Sequence, residues 1–308
     1  MTREIVFVHG RSQENKDAAA LKQEWVDSLN AGLNANDPPL PPISADRVRF
    51  PYYGDTLYQL AAGVTDQDAP DVVLKGEAID AEAREFMVDY LDQVRAKLDV
   101  TDQDVAAAGD VPVTEKGFLN WPWVRAIMQA LDSSSPTISG LTIALATHDV
   151  YVYLKNSAVR NKINSGIIEA MTPGVESVVV GHSLGSIVSY HLLQAEGTKH
   201  GWNVPQFITV GAPLGVTSIR EGLPGLLDPA ERSNYTPKCV RSWYNAMDPL
   251  DAVSLYPLDA QHFPLRPPEP TIENKMDVKN PEPNHHGIRG YLGDPVVAKR
   301  IHDAMHED

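Results

Sequence analysis

The stretch that most constrains this chain is Gly181-His182-Ser183-Leu184-Gly185. A β-branched apolar run, Val178-Val179-Val180, stands directly before it, and Leu184 through Gln194 after it has the composition of a helix. A short continuous apolar run reads as a strand buried on both faces. A strand that passes into a helix through Gly-x-Ser-x-Gly turns so tightly that its flanking positions admit little side chain. The central serine is held in a strained backbone conformation with its hydroxyl at the tip. The sequence therefore predicts a sheet whose strands end beside helix starts, with Ser183 at one such junction.

The rest of the chain follows the same alternation. Ile5-Val6-Phe7-Val8 reads as a buried strand ending in His9-Gly10. Residues 15–34 carry Ala18, Leu21, Trp25, Leu29 and Leu33 at helical spacing. Residues 48–54 read as a second strand. Phe207-Ile208-Thr209-Val210 and the stretch 239–244 read as later strands, and 295–305 as a terminal helix. Alternating strands and helices predict an α/β fold: a mostly parallel sheet of about five or six strands, with helices on both faces.

Residues 55–146 break the alternation. A helix is expected over 77–98, an acidic, Ala-rich linker over 99–110, and an apolar, aromatic segment over 117–131 whose later part is helical. These pieces read as a helical insertion over the core of one domain spanning 1–308. One long helix is expected over 149–171, and a surface loop over 264–283, where Pro, Asn and charge are dense.

Composition excludes several classes. The formal net charge of -15 disfavours nucleic acid and anionic membrane surfaces as partners. The single cysteine, Cys239, precludes an internal disulfide and a cysteine-based metal site. No apolar run approaches membrane-spanning length, and the N-terminus lacks the h-region and cleavage site of a signal peptide. A cytoplasmic location is the expectation. No phosphate loop and no HExxH pattern is present, so no cofactor and no metal is expected.

A serine hydroxyl is a weak nucleophile at neutral pH. It needs a histidine as general base, a carboxylate to orient that histidine, and N–H donors for the developing oxyanion. In parallel sheets such groups gather at the carboxyl ends of strands. After the strand at 239–244 come Asp248, the first choice for the acid, and Asp251, the alternative. His285 and His286 follow on a loop before Gly287, and His286 is the preferred base. The N–H of Leu184 and the N–H of Arg11, after Gly10, are the candidate oxyanion donors. His9 reads as a structural histidine. Tyr52 and Tyr53, at the end of the second strand, are candidate pocket walls.

The set FVHGRS, VVVGHSLGS, ITVGAPLG, WYNAMDPLD and NHHGIRGYL, spread from Val8 to Leu292, resembles the α/β-hydrolase superfamily, in particular its esterase and lipase-like members. The resemblance implies a nucleophile at Ser183, an acid at Asp248, a base at His286, oxyanion donors at Arg11 and Leu184, and a helical lid between Asp55 and Ala146. The chain opens on the strand that leads to the oxyanion loop, without the antiparallel N-terminal strands of larger relatives. The expected activity is hydrolysis of a small-molecule carboxylic ester through an acyl-enzyme. Trp121 and Trp123 are candidate contacts for an apolar acyl or aromatic group. Thioester hydrolysis, amide hydrolysis and acyl transfer would use the same residues. A non-catalytic binding protein on the same fold is the competing class.

Overall fold

The computed structural model describes residues 3–10, 13, 16–54, 80–134, 139–223, 235–266, 271–281 and 283–306. Its strands are β1 (Glu4–Val8), β2 (Val48–Arg49), β3 (Ser177–His182), β4 (Phe207–Val210), β5 (Trp243–Ala246) and β6 (Glu273–Lys275). They form one sheet in the order β2-β1-β3-β4-β5-β6, with every pairing parallel. From β1 the chain first goes to one side, to β2, and then returns to add β3 on the other. The junction between β1 and β3 is therefore a topological switch point, where the loops after the strands diverge and leave a crevice. The register Val8↔Gly181 brings His9-Gly10 and His182-Ser183 to that crevice together.

The period-2 alternation of strands divides the apolar residues between two cores. Ile5, Phe7, Val178 and Val180 face one layer with α1 (Ala18–Asn34), which carries Leu21, Trp25, Leu29 and Leu33. The same layer holds Tyr291 and Leu292 of a short helix, Ile288–Gly293, and Val297 and Ile301 of the terminal helix, Pro295–His306. Val6, Val8 and Val179 face the other way. That layer contains α2 (Ala81–Lys97), α3 (Asp102–Gly109), α4 (Trp121–Ser134), α5 (Gly140–Lys155), α6 (Ser157–Ala170), α7 (Leu184–Glu196) and α8 (Thr217–Gly222). With the two C-terminal helices numbered α9 (Ile288–Gly293) and α10 (Pro295–His306), helices cover both faces, as the alternation predicts.

Several elements differ from the sequence expectations for identifiable reasons. The strand expected over 48–54 pairs only at Val48–Arg49, and Pro51, having no N–H, cannot extend the ladder. The expected linker at 99–110 contains α3, started by a reciprocal capping box between Thr101 and Asp104. The single helix expected over 149–171 is two helices. Asn156 takes an extended conformation between them, and its side chain accepts hydrogen bonds from the N–H groups of Ala158 and Val159. The first of these helices begins at Gly140, so the expected insertion boundary at Ala146 falls inside α5. The expected loop at 264–283 contains the edge strand β6, whose residues are polar.

That polar strand is held by buried side chains. Trp243 Nε1 donates to Thr209 Oγ1 at 3.1 Å, Thr209 Oγ1 to Asn245 Oδ1 at 2.8 Å, and Asn245 Nδ2 to Asn274 Oδ1 at 2.9 Å. The chain of hydrogen bonds crosses β4, β5 and β6 and fixes the segment from which the loop at 247–255 departs.

Candidate functional site

Ser183 has φ 55° and ψ -127°, a conformation that is costly for a residue with a side chain. The neighbouring glycines explain how the chain reaches it. A Cβ on Gly185 would lie 2.1 Å from the Val8 carbonyl oxygen, and one on Gly181 would lie 2.8 Å from the Gly185 carbonyl oxygen. A Cβ on Gly10 would lie 2.9 Å from Ser183 Cβ. Strand, turn and helix therefore close on one another only without side chains there. Leu184 is the first residue of α7. Its N–H belongs to the first-turn donors that have no partner inside a helix, at the positive end of the helix dipole. Arg11, the other expected oxyanion donor, lies outside the described residues.

The histidine pair separates into two distinct contacts. His286 Nδ1 lies 2.8 Å from Asp251 Oδ2. His285 Nδ1 lies 3.2 Å from Asp248 Oδ2. The carboxylate facing His286 is therefore Asp251, and the first choice from the sequence, Asp248, is seated elsewhere. Asp248 also accepts from the backbone N–H groups of Leu250 and Asn280, both at 2.8 Å. It is the clasp of its own loop. The reason is local geometry: Asp248 is the second residue beyond β5, and only at Asp251, the fifth, does a carboxylate come level with the His286 ring.

Asp251 is almost fully buried and fully satisfied. Its Oδ1 accepts from the N–H groups of Val253 and Ser254 at 2.8 and 3.2 Å. Its Oδ2 accepts from the Tyr291 hydroxyl at 2.6 Å, besides facing His286. Burial alone would raise the carboxyl's pKa. The facing His286 and the hydrogen bonds from His286, Tyr291 and Val253 outweigh it and hold the group below its ordinary value. Asp251 thus stays ionised, and His286 Nδ1–H is the donor of the pair. That leaves His286 Nε2 with its basic lone pair.

His286 is held from behind. Its carbonyl oxygen lies 2.9 Å from His182 Nε2. Burial first, and then repulsion from His286, lowers the His182 pKa to about 3, so its ring is neutral. Nε2–H donates to that carbonyl. The two rings lie 4.8 Å apart between centroids. Gly211, at φ 57°, passes beneath His286, where a Cβ would come within 3.2 Å of the ring. Tyr291 completes the arrangement by accepting from the Asp248 N–H at 3.1 Å while donating to Asp251. His182 and Tyr291 escaped the sequence reading because His182 stood only as the variable position before Ser183, and Tyr291 as half of the apolar pair Tyr291-Leu292. Their positions next to Ser183 and five residues beyond His286 were the available signal.

Ser183 and His286 line the same cleft, of about 580 Å³, with Lys16, Trp25, Thr142, Asn284 and Arg289. No hydrogen bond joins Ser183 Oγ to His286 among the described residues, as is common for such pairs before substrate tightens the geometry. A second, narrow recess borders Ser183 and Leu184 but not His286. No family model, curated protein or solved structure matches this chain.

The expected pocket residues lie elsewhere. Tyr53 is buried against His9: the rings stack at 3.9 Å, and the Tyr53 hydroxyl donates to the His9 carbonyl. His9 Nε2 accepts from the Tyr53 N–H at 3.0 Å. Burial lowers the His9 pKa to about 4, consistent with a structural, neutral ring. Tyr52 is half-buried and its hydroxyl donates to the Gln13 carbonyl. Trp123 is buried in the core under α4, and Trp121 is buried with the Arg84 guanidinium 5.3 Å from its ring. None of the four lines the two cavities at Ser183. Thr142 and Ala146 of α5 do so instead, because the helix that carries them starts earlier than its apolar pattern suggests. Among the described residues, no three His, Cys, Asp or Glu side chains converge as a metal site, and no helix is long and apolar enough to cross a membrane.

Proposed function

We infer that this protein is a serine hydrolase of the α/β-hydrolase type that cleaves carboxylic esters. The reading rests above all on one arrangement: a strained serine at a strand–helix turn shares a cleft with a histidine whose far nitrogen is fixed by a buried carboxylate. In this mechanism Ser183 Oγ attacks the ester carbonyl carbon while its proton passes to His286 Nε2. Asp251 stabilises the imidazolium that forms. The oxyanion is met by the Leu184 N–H and a second donor from the loop after Gly10. The tetrahedral intermediate collapses, the carbon–oxygen bond to the alcohol breaks, and His286 returns the proton to the leaving oxygen. Water then repeats the sequence on the acyl-enzyme and frees the acid. Helix α5 borders the cleft through Thr142 and Ala146.

A fluorophosphonate probe tests the reading. The intact protein should acquire one covalent adduct, located on Ser183 by peptide mass analysis, and Ser183→Ala should abolish it. Turnover of p-nitrophenyl acetate should fall by on the order of 10⁴-fold or more in Ser183→Ala and in His286→Ala. An adduct that persists in Ser183→Ala would remove the serine from the mechanism.

A further inference from the structure

Ser183 lines two cavities of very different size. The cleft of about 580 Å³ contains His286 and polar side chains, among them Lys16, Asn284 and Arg289. The recess has a volume of about 10 Å³ and is walled by Tyr90, Thr147, Val150, Leu184, Pro213 and Ile219, with Ala146 and Val253 shared with the cleft. His286 lines only the first cavity.

This asymmetry orients a substrate. The histidine that takes the serine proton must return it to the leaving oxygen, so the leaving alcohol has to lie on the His286 side. The acyl substituent points away from the leaving group and falls on the other side of Ser183, beside Leu184. The recess is the cavity that Leu184 lines and His286 does not. On the serine hydrolase reading above, we propose that the recess is the acyl site and that the protein is selective for short acyl groups, acetyl above all. The alcohol portion occupies the open cleft.

The walls set the limit. A volume of about 10–15 Å³ on this measure holds one water-sized group, which suits a methyl and excludes a chain. Ile219 is fully buried, and Val150 and Leu184 nearly so. They belong to three separate elements, α8, α5 and α7, packed in one core. Such walls resist dilation because the surrounding core is close-packed. The Tyr90 hydroxyl, tied to the Val253 carbonyl at 2.6 Å, braces the recess further. Neither Trp121 nor Trp123 lines this site, so among the described residues nothing on the acyl side favours a long chain.

The experiment is a p-nitrophenyl ester series, acetate, butyrate and octanoate, on the full-length protein, in parallel with fluorophosphonate labelling of Ser183. Each methylene a pocket cannot take costs roughly 10-fold or more in kcat/KM. Acetate should therefore exceed butyrate by at least about tenfold and octanoate by more. Ile219→Ala enlarges the recess and should raise the butyrate-to-acetate ratio about tenfold. A butyrate or octanoate optimum with Ser183 still labelled would overturn the size assignment and leave the serine mechanism standing. Absence of both labelling and turnover would overturn the underlying reading itself. The wild-type series decides the matter even if Ile219→Ala fails to fold.

Discussion

The two aspartates differ in what they hold, and so should their substitutions. Asp251 keeps His286 in the tautomer with its lone pair on Nε2. Asp251→Asn offers an amide in place of the acceptor and should lower kcat on p-nitrophenyl acetate by on the order of 10⁴-fold, the scale of a wrong tautomer. Asp248 instead accepts two backbone N–H groups and faces His285. Asp248→Asn can retain only part of that set, and a buried donor left unmatched costs about 1–3 kcal/mol. Urea denaturation should show that loss, while kcat stays within about tenfold of wild type. The opposite pattern would return the role of acid to Asp248. The sequence put Ser183 and His286 forward because strand ends and glycines are local signals, and the structure brings both to one cleft. It could not choose between Asp248 and Asp251, because that choice depends on how far a turn travels in three residues.

The elements that the sequence hid are those defined by caps and by side-chain hydrogen bonds rather than by apolar period. The helical spacing of Val152, Leu154, Val159 and Ile163 runs on across Asn156, although the backbone there is extended. Only the cap reveals the break. Asn156→Ala removes the acceptor of two N–H groups and should destabilise the protein by about 1 kcal/mol. Its turnover should be unchanged, since Asn156 borders neither cavity at Ser183. Urea denaturation and an ester assay on the same sample check both halves. The strand β6 was hidden for a related reason. Glu273-Asn274-Lys275 has no apolar residue, and its place in the sheet is set by Asn245 and by the Leu258 backbone, both bonded to Asn274. By contrast β1, β3 and β4 were legible outright, being apolar runs that must be buried on both faces. Helix α5 was legible only in part. Its early residues, Gly140 through Ala146, are apolar nearly all round, so no face stood out, and this segment supplies two of the residues at the cleft.

For the whole molecule, the buried histidines decide how stability depends on pH. Burial lowers His9 and His191 to about 4 and His182 to about 3. In the unfolded chain each titrates near 6.5. Above pH 6.5 all three are neutral in both states and stability does not depend on them. As pH falls below 6.5, the unfolded chain binds protons that the native state refuses, so stability drops, and the drop ends only near the native values of 3 to 4. Between pH 7 and pH 5 each ring costs about 2 kcal/mol and the three together about 6 kcal/mol. The net charge of -15 works in the other direction only once carboxylates protonate, near pH 4, so the histidines govern the upper window. Asp251, held below its ordinary value, joins them only as pH falls through the carboxylate range. Urea denaturation at pH 7, 6 and 5 should therefore show stability falling steeply and the slope increasing below pH 6.5. His191→Gln, which replaces a ring contacting the Tyr153 hydroxyl at 3.0 Å, should remove about one third of that slope whatever it costs at pH 7. A flat profile from pH 7 to pH 5 would mean that these rings reach solvent and charge freely in the native state. In that case His182 would not be the neutral donor that holds the His286 carbonyl.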